Sequence, residues 1–297
     1  MLRLLLFLAT NVAVLALFAL VIQALGLEEW LASRGVYTDT TALLVFCALF
    51  GFAGAFVSLL LSKFMAKMAT GTRVIDRPRT PEERWLVETV ADLARQAGIG
   101  MPEVGIFPAR QANAFATGWN RNHALVAVSE GLLERYDREE VRAVLAHEIG
   151  HVANGDMVTL TLLQGVLNTF VMFLARILGG IIDRAVFRNE QGHGLGYFLV
   201  VMVLQVLFGI LASLVVLWFS RWREFRADAA GARLAGRNAM IRALEHLKAE
   251  TEAHVPGELP ETLTAFGISP GWKEGVSRLF MTHPPLEARI QALRRAS

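Results

Sequence analysis

Charge is scarce in this chain, and what it has nearly cancels. Asp, Glu, Lys and Arg make up 19% of the 297 residues, and the formal net charge is +2. Soluble domains carry about 25% charged residues. The deficit points away from a freely soluble protein, and the small net charge implies no nucleic-acid partner. Cysteine is nearly absent as well: Cys47 stands alone, inside an apolar run, which excludes an intrachain disulfide framework. No low-complexity tract or internal repeat stands out. Apolar residues take up the space, reaching 54% of the chain with a mean hydropathy of +0.43. They are concentrated in a few long runs, the pattern of a membrane protein.

Four such runs are expected to cross a bilayer, each near the roughly 20 residues a hydrocarbon core requires. The first, Leu4 to Leu25, is longer than the apolar core of a signal peptide and lacks a clear small-residue cleavage site, so an uncleaved helix is expected. Thr41 to Leu61, Val158 to Ile182 and Leu195 to Phe219 follow. The third carries Gln164, Asn168 and Arg176 and reads equally as a helix buried against protein, with Arg176 able to snorkel. Lys63, Lys67, Arg73, Arg77 and Arg79 follow the second run, and Arg221, Arg223 and Arg226 follow the fourth. Positive residues stay in the cytoplasm, which places both termini and the polar segments inside and the loops near Ser33 and Asn189 outside. Neither apolar hairpin holds an intramembrane Asp, Glu or His, which argues against an ion transporter.

The polar segments hold the chemistry. Thr80-Pro81-Glu82-Glu83 opens a helix with a capping pattern and a buried stripe of Leu86, Val87, Val90, Leu93 and Ala94. Two short β-like runs, Glu103 to Phe107 and Ala124 to Ser129, flank Asn113-Ala114-Phe115-Ala116, so a small α+β unit is expected. A second capped start at Asp137 leads into Ala146-His147-Glu148-Ile149-Gly150-His151, an H-E-x-x-H motif. Residues four apart share a helix face, so His147 and His151 can offer imidazole nitrogens to one zinc ion. Glu148, rotated by about 100°, stands where it can take a proton from the attacking water. A metzincin third histidine is missing, since Asn154 and Met157 occupy the positions that pattern reserves for Gly and His. Glu224 is the best candidate for the third ligand, with Asp228 four residues on to orient a ligand histidine. From the residues alone, that pair reads as readily as a solvated helix face.

The motifs together resemble the HtpX family of membrane zinc endopeptidases, relatives of the zinc CAAX prenyl proteases. The resemblance rests on His147 to Asp156, Ser220 to Asp228, Thr282-His283-Pro284-Pro285, Asn113 to Ala116 and the order of two apolar hairpins around a polar unit. It covers essentially the whole chain. It implies a mainly α, polytopic membrane protein of four transmembrane helices with a cytoplasmic α+β zincin-like (gluzincin) unit in the bacterial inner membrane. By the same resemblance, one Zn²⁺ would be held by His147, His151 and Glu224, with Asp228 behind them. Glu148 would be the general base, and Asn113 and His283 would stabilise the transition state. The implied role is quality control of membrane or unfolded polypeptides. The expected organisation is a hairpin over 1–64, catalytic segments over 65–157 and 220–297, and a second hairpin over 158–219. Two other readings stay open: a CAAX-type prenyl protease, and a membrane chaperone that keeps zinc only for folding. Glu148 speaks against the latter, because a structural site needs no adjacent base.

Spacing adds a further expectation. His151 lies shortly before the third run and Glu224 shortly after the fourth, so at about 1.5 Å per helical residue both sit within roughly 10 Å of the membrane surface. His123, His193, His246 and His254 read as surface histidines, and the Pro-, Gly- and Glu-rich stretch from Glu250 to Gly275 reads as a surface loop.

Overall fold

A computed structural model of the chain describes residue 13 and residues 15–187, 194–253 and 283–296. The start of the first apolar run, the loop around Asn189, His193, His254 and most of the Glu250–Gly275 stretch lie outside the described residues. The chain divides into two compact units, one formed by 1–58 with 159–216 and the other by 59–158 with 217–297.

The first unit is helical. Leu15–Ala24 (α1) is followed by Leu27–Ser33 (α2), bent by 52° from it. Gly26, left-handed at φ 58°, makes the break. The stretch leading into Ser33, expected as a loop, is therefore a helix, and it has a task. The Glu28 carboxylate accepts from both the amide and the hydroxyl of Thr40, at 2.8 and 2.5 Å, where Thr40–Thr70 (α3) begins. Asp156–Phe187 (α7) and Leu195–Ala235 (α8) supply the other long helices. Among the described residues α3, α7 and α8 are long and apolar enough to cross a membrane, and α1 with α2 forms a fourth candidate if the bent pair counts as one span.

Packing inside this unit follows membrane rules, in which small residues let helix backbones approach. A Cβ on Gly51 of α3 would meet the Thr169 amide of α7 at 2.9 Å, and one on Gly165 would meet the Phe52 ring. Phe18 stands edge-on to Phe170 and Phe173, and Leu31, Leu44, Cys47 and Ile177 complete the cluster. Only 6% of the most apolar stretch of α8 is buried. Its exposed Leu199, Met202, Val206 and Leu207 are suited to lipid rather than water.

The second unit holds the mixed structure. Pro81–Ala97 (α4) starts at Thr80, whose hydroxyl accepts from the Glu83 amide, while Glu83 accepts from the Arg79 amide. Arg73–Val74 (β1), Glu103–Phe107 (β2), Ala114–Gly118 (β3) and Ala124–Ser129 (β4) make one sheet in the order β1-β2-β4-β3. β2 and β4 run parallel, and the other two pairings are antiparallel. All six residues of β4 are buried, so it reads as an unbroken apolar run, as an interior strand should. β3 is an edge strand, and its start is pinned: the Ser129 hydroxyl accepts from the Asn113 amide at 2.9 Å and donates to the Gln111 carbonyl.

Glu130–Arg135 (α5) leads to Arg138–Asn154 (α6), which begins with a full capping box between Asp137 and Glu140. α6 is the centre of the unit. One side packs Val141, Leu145 and Ile149 with Leu86, Val90 and Leu93 of α4 and Val126 and Val128 of β4. Elsewhere Ala143 meets Met240, Ala243 and Leu244 of Arg237–Ala253 (α9), together with Ile290 and Leu293 of Leu286–Arg295 (α10). Gly155, left-handed at φ 74°, ends α6 and lets α7 start at Asp156.

The crossing of α6 with α8 is a close one. A Cβ on Gly150 would lie 2.9 Å from the Ala230 Cβ and 3.3 Å from the Ala227 carbonyl oxygen, and one on Gly231 would lie 3.3 Å from the His147 amide. Only small residues allow this approach. Gly150→Val is expected to destabilise the chain by roughly 1–3 kcal/mol, the usual cost of overpacking, and to lower bound metal by moving Glu224 from the histidines. Thermal melting and metal analysis of the purified full chain check this, and wild-type values of both would contradict it.

Candidate metal centre

The close crossing brings three ligating groups to one point. Nε2 of His147 and Nε2 of His151, one turn apart on α6, are 3.2 Å from each other, with the rings nearly perpendicular at 89°. From α8, Glu224 Oε1 lies 3.2 Å from His151 Nε2 and Oε2 lies 3.6 Å from His147 Nε2. Ligand atoms of the three residues all fall within 4.8 Å of one another.

The far side of each ring is held by a carboxylate. Asp228 Oδ1 accepts from His147 Nδ1 at 2.9 Å, and Asp156 Oδ2 accepts from His151 Nδ1 at 2.7 Å. Such bonds fix the tautomer that leaves the Nε2 lone pairs facing inward, the arrangement metal-ligating histidines use. Burial opposes a charge on either ring, but the acids outweigh it. Asp228 and Glu224 raise His147 above the ordinary histidine range, and Asp156 and Glu224 bring His151 up to about 9. Both shifts show the buried acids favouring positive charge at this point, which a divalent cation can supply.

Arg289 of α10 completes the set, and the sequence reading missed it. Its guanidinium donates twice to Asp228, at 2.8 and 2.6 Å, and one nitrogen lies 3.4 Å from Glu224 Oε2. Glu224 and Asp228 are each 1% exposed and Arg289 5%. One arginine against two buried carboxylates leaves negative charge, as a cation site requires. Asp156, also buried, was likewise not assigned a role from sequence. The detectable signals were an arginine on the apolar stripe Leu286, Ile290, Leu293, and an acid one helical turn past the second histidine.

The remaining expected residues surround a cavity of about 690 Å³. Glu148, half-buried, lines it beside His147, as do Asn113 at the head of β3 and His283 just before α10. His283 Nδ1 donates to Glu224 Oε2 at 2.7 Å, while its side chain is 61% exposed. Asn113 is held through its backbone, its amide donating to the Ser129 hydroxyl and its carbonyl accepting from the Ser129 amide. Of the histidines read as surface residues, His123 is exposed and stacks on Trp119, while His246 is half-buried and stacks on Tyr136.

Residues 80–297 match the family described as peptidase family M48. The chain belongs to peptidase family M48. Family membership makes it a hydrolase of peptide bonds, and its apolar helices make it a membrane protein. Among similar proteins, "Protease HtpX" of Hahella chejuensis (strain KCTC 2396) is 61% identical over 293 residues, covering 99% of both chains. "Protease HtpX" of Pseudomonas fluorescens (strain Pf0-1) is 61% identical over 295 residues, again covering 99% of each. The crystal structure of S. mikatae Ste24p has the same fold at a TM-score of 0.60 and 19% identity, covering 99% of this chain and 67% of that one.

In this M48 peptidase the two outer acids make equivalent bonds to the two histidines. Asp156→Asn and Asp228→Asn are therefore expected to weaken metal binding by similar amounts, about 10–100-fold each. Arg289→Met would strand a buried carboxylate at a cost of about 3–5 kcal/mol, and Arg289→Lys would recover part of it, lacking the two-pronged fork. Metal titrations and thermal melts of the four variants measure this. Loss for Asp228→Asn alone, or a neutral Arg289→Met, would contradict the assignment.

Proposed function

We propose that this membrane metalloprotease is a zinc endopeptidase acting on membrane-protein and unfolded polypeptide segments at the cytoplasmic face of the bacterial inner membrane, in protein quality control. The observation that carries this reading is the convergence of two imidazole nitrogens and a buried carboxylate beside Glu148, a half-buried carboxylate that lines a large cavity. Two nitrogens and one oxygen within 4.8 Å are the donor set and number of a catalytic zinc site that keeps a position open. His147, His151 and Glu224 are the proposed ligands.

A zinc ion held there supplies Lewis-acid activation of the attacking water and of the scissile carbonyl. Glu148 accepts one proton from that water as its oxygen adds to the carbonyl carbon, and it passes the proton to the departing amide nitrogen as the C–N bond breaks. Negative charge collects on the former carbonyl oxygen in between. Asn113 and His283 line the same cavity and are the proposed hydrogen-bond donors to it. Glu224 and Asp156 belong to α8 and α7, the same helices that carry long apolar stretches, which supports substrates that emerge from a bilayer.

Glu148→Gln should keep about one zinc per chain and lose cleavage of an unfolded membrane-protein substrate by at least about 100-fold, whereas Glu224→Ala should lose the zinc itself. His283→Ala and Asn113→Ala should each lower kcat by roughly 10²–10³-fold with zinc retained. Metal content and single-turnover cleavage of the purified variants test these roles together, and undiminished cleavage by Glu148→Gln would overturn the mechanism.

Orientation is tested separately. A cysteine at Ser33 should react with an impermeant thiol reagent in intact cells, and one at Ser297 should react only after lysis. The reverse pattern would refute the cytoplasmic placement.

A further inference from the structure

The helix α8 is longer than a hydrocarbon core is thick. From Leu195, exposed at its start, to Trp222 it rises about 40 Å at roughly 1.5 Å per residue. A bilayer measures about 30 Å across its hydrocarbon and about 40–45 Å with its headgroups, so the turn around Trp222 falls at headgroup depth. The outer face of the helix carries an apolar stripe into that turn. Leu211, Val215, Trp218 and Trp222 are all exposed at the three- and four-residue intervals of one helix face, and exposed Arg226 and Arg233 continue it. Tryptophan gathers at this depth because its ring is amphipathic.

Charges on this part of α8 are sorted by side. Between Leu217 and Ala235 the acids are Glu224 and Asp228, each 1% exposed and turned inward to the histidines and Arg289. What remains outside is arginine: Arg226 and Arg233 are exposed, and Arg221 and Arg223 are half-buried. The Arg226 guanidinium lies over the Trp222 ring, 5.1 Å from its centroid, and Arg223 donates to the Ser220 hydroxyl at 3.2 Å. Among the described residues, Arg223, Arg226 and Arg233 pair with no acid. The lysines near the end of α3 differ, since Lys63 and Lys67 both pair with Glu103 of β2.

We propose that the outer face of this turn binds an anionic lipid headgroup, with Arg223 and Arg226 taking its phosphate and Trp218 and Trp222 lying against the start of its acyl chains. Two features select this occupant. A phosphate free in water would gain nothing from exposed indoles, and a zwitterionic lipid would leave the arginines without a counter-charge. The occupant therefore joins apolar chains to a net negative group, for which the planar guanidinium fork is suited. Its place ties it to the metal centre without making it part of the reaction. Glu224 stands two residues from both Trp222 and Arg226, about 200° round the helix from each, so headgroup and ligating carboxylate lie on opposite sides of one turn. A bound lipid would hold the three ligating groups about one helix diameter, roughly 10–12 Å, from the headgroup layer.

Lipid titration tests this. The full chain, purified in neutral detergent, is titrated with phosphatidylglycerol or phosphatidylcholine in mixed micelles, and native mass spectrometry counts the lipids each chain retains. Wild type should hold phosphatidylglycerol at least about tenfold more tightly, given roughly fivefold for each arginine near an anionic surface. Arg226→Gln should lose about fivefold of that preference, and Arg226→Lys should keep most of it. Arg95→Gln, the same change of charge on the exposed side of α4, should keep all of it. Equal retention of the two lipids by wild type would overturn the site, as would equal losses in Arg226→Gln and Arg95→Gln. Displacement of the lipid by millimolar inorganic phosphate would also overturn it, marking a site for free anions. So would a dimer that holds no phosphatidylglycerol and that Trp222→Ala separates, since the face would then join two copies of the chain.

Discussion

Two carboxylates one helical turn apart on α8, Glu224 and Asp228, are each 1% exposed, and their burial is the constraint on which the rest of the polar unit depends. An unpaired ionised acid in a protein interior costs several kcal/mol, so every element around them contributes a compensating group. α6 brings His147 and His151, α10 brings Arg289, and His283 approaches from the segment before α10. None of these helices can shift without leaving a charge stranded. The small residues at the α6–α8 crossing, Gly150, Ala227, Ala230 and Gly231, are the steric counterpart of the same requirement. They let the acid-bearing helix approach until its carboxylates reach the imidazoles.

The same arrangement separates groups that hold from groups that react. His147, His151, Glu224, Asp228, Asp156 and Arg289 are tied to one another by short polar contacts and are mostly buried. Glu148 sits next to His147 in sequence and lines the same cavity but is half-buried where His147 is buried, so neighbouring residues of one helix are suited to opposite purposes. An immobile set of donors suits a fixed cation, while a carboxylate exposed to the cavity suits proton transfer.

Much of this could be read from the chain before its fold was known, and the exceptions have physical reasons. Capped starts at Thr80 and Asp137 were legible because capping depends on neighbouring residues alone. β2 and β4 were legible at their observed bounds because their apolar runs end abruptly. β3 was not, since Ala114 to Gly118 is short, only partly buried and poor in β-branched residues, and its pairing with β4 supplies what its composition lacks. The helix α2 was hidden for the opposite reason: Glu28 and Glu29 interrupt the apolar pattern, and the bond that gives Glu28 its place runs to Thr40, 12 residues on. Glu224 and Asp228 could be proposed from their four-residue spacing, but their partner Arg289 lies 61 residues beyond Asp228. No local pattern announces that distance, although an arginine on an apolar helix stripe is the trace it leaves.

The central claim is that two imidazoles and one carboxylate, and no other protein side chains, hold the ion. Zinc-edge X-ray absorption of the purified full chain measures this most directly. The expected spectrum contains two imidazole nitrogens at about 2.0–2.1 Å and oxygen donors at about 2.0–2.2 Å, with no sulfur, and loses its carboxylate contribution in Glu224→Gln. A shell with three or more imidazoles, which would draw His283 into coordination, or any thiolate sulfur, would contradict the account.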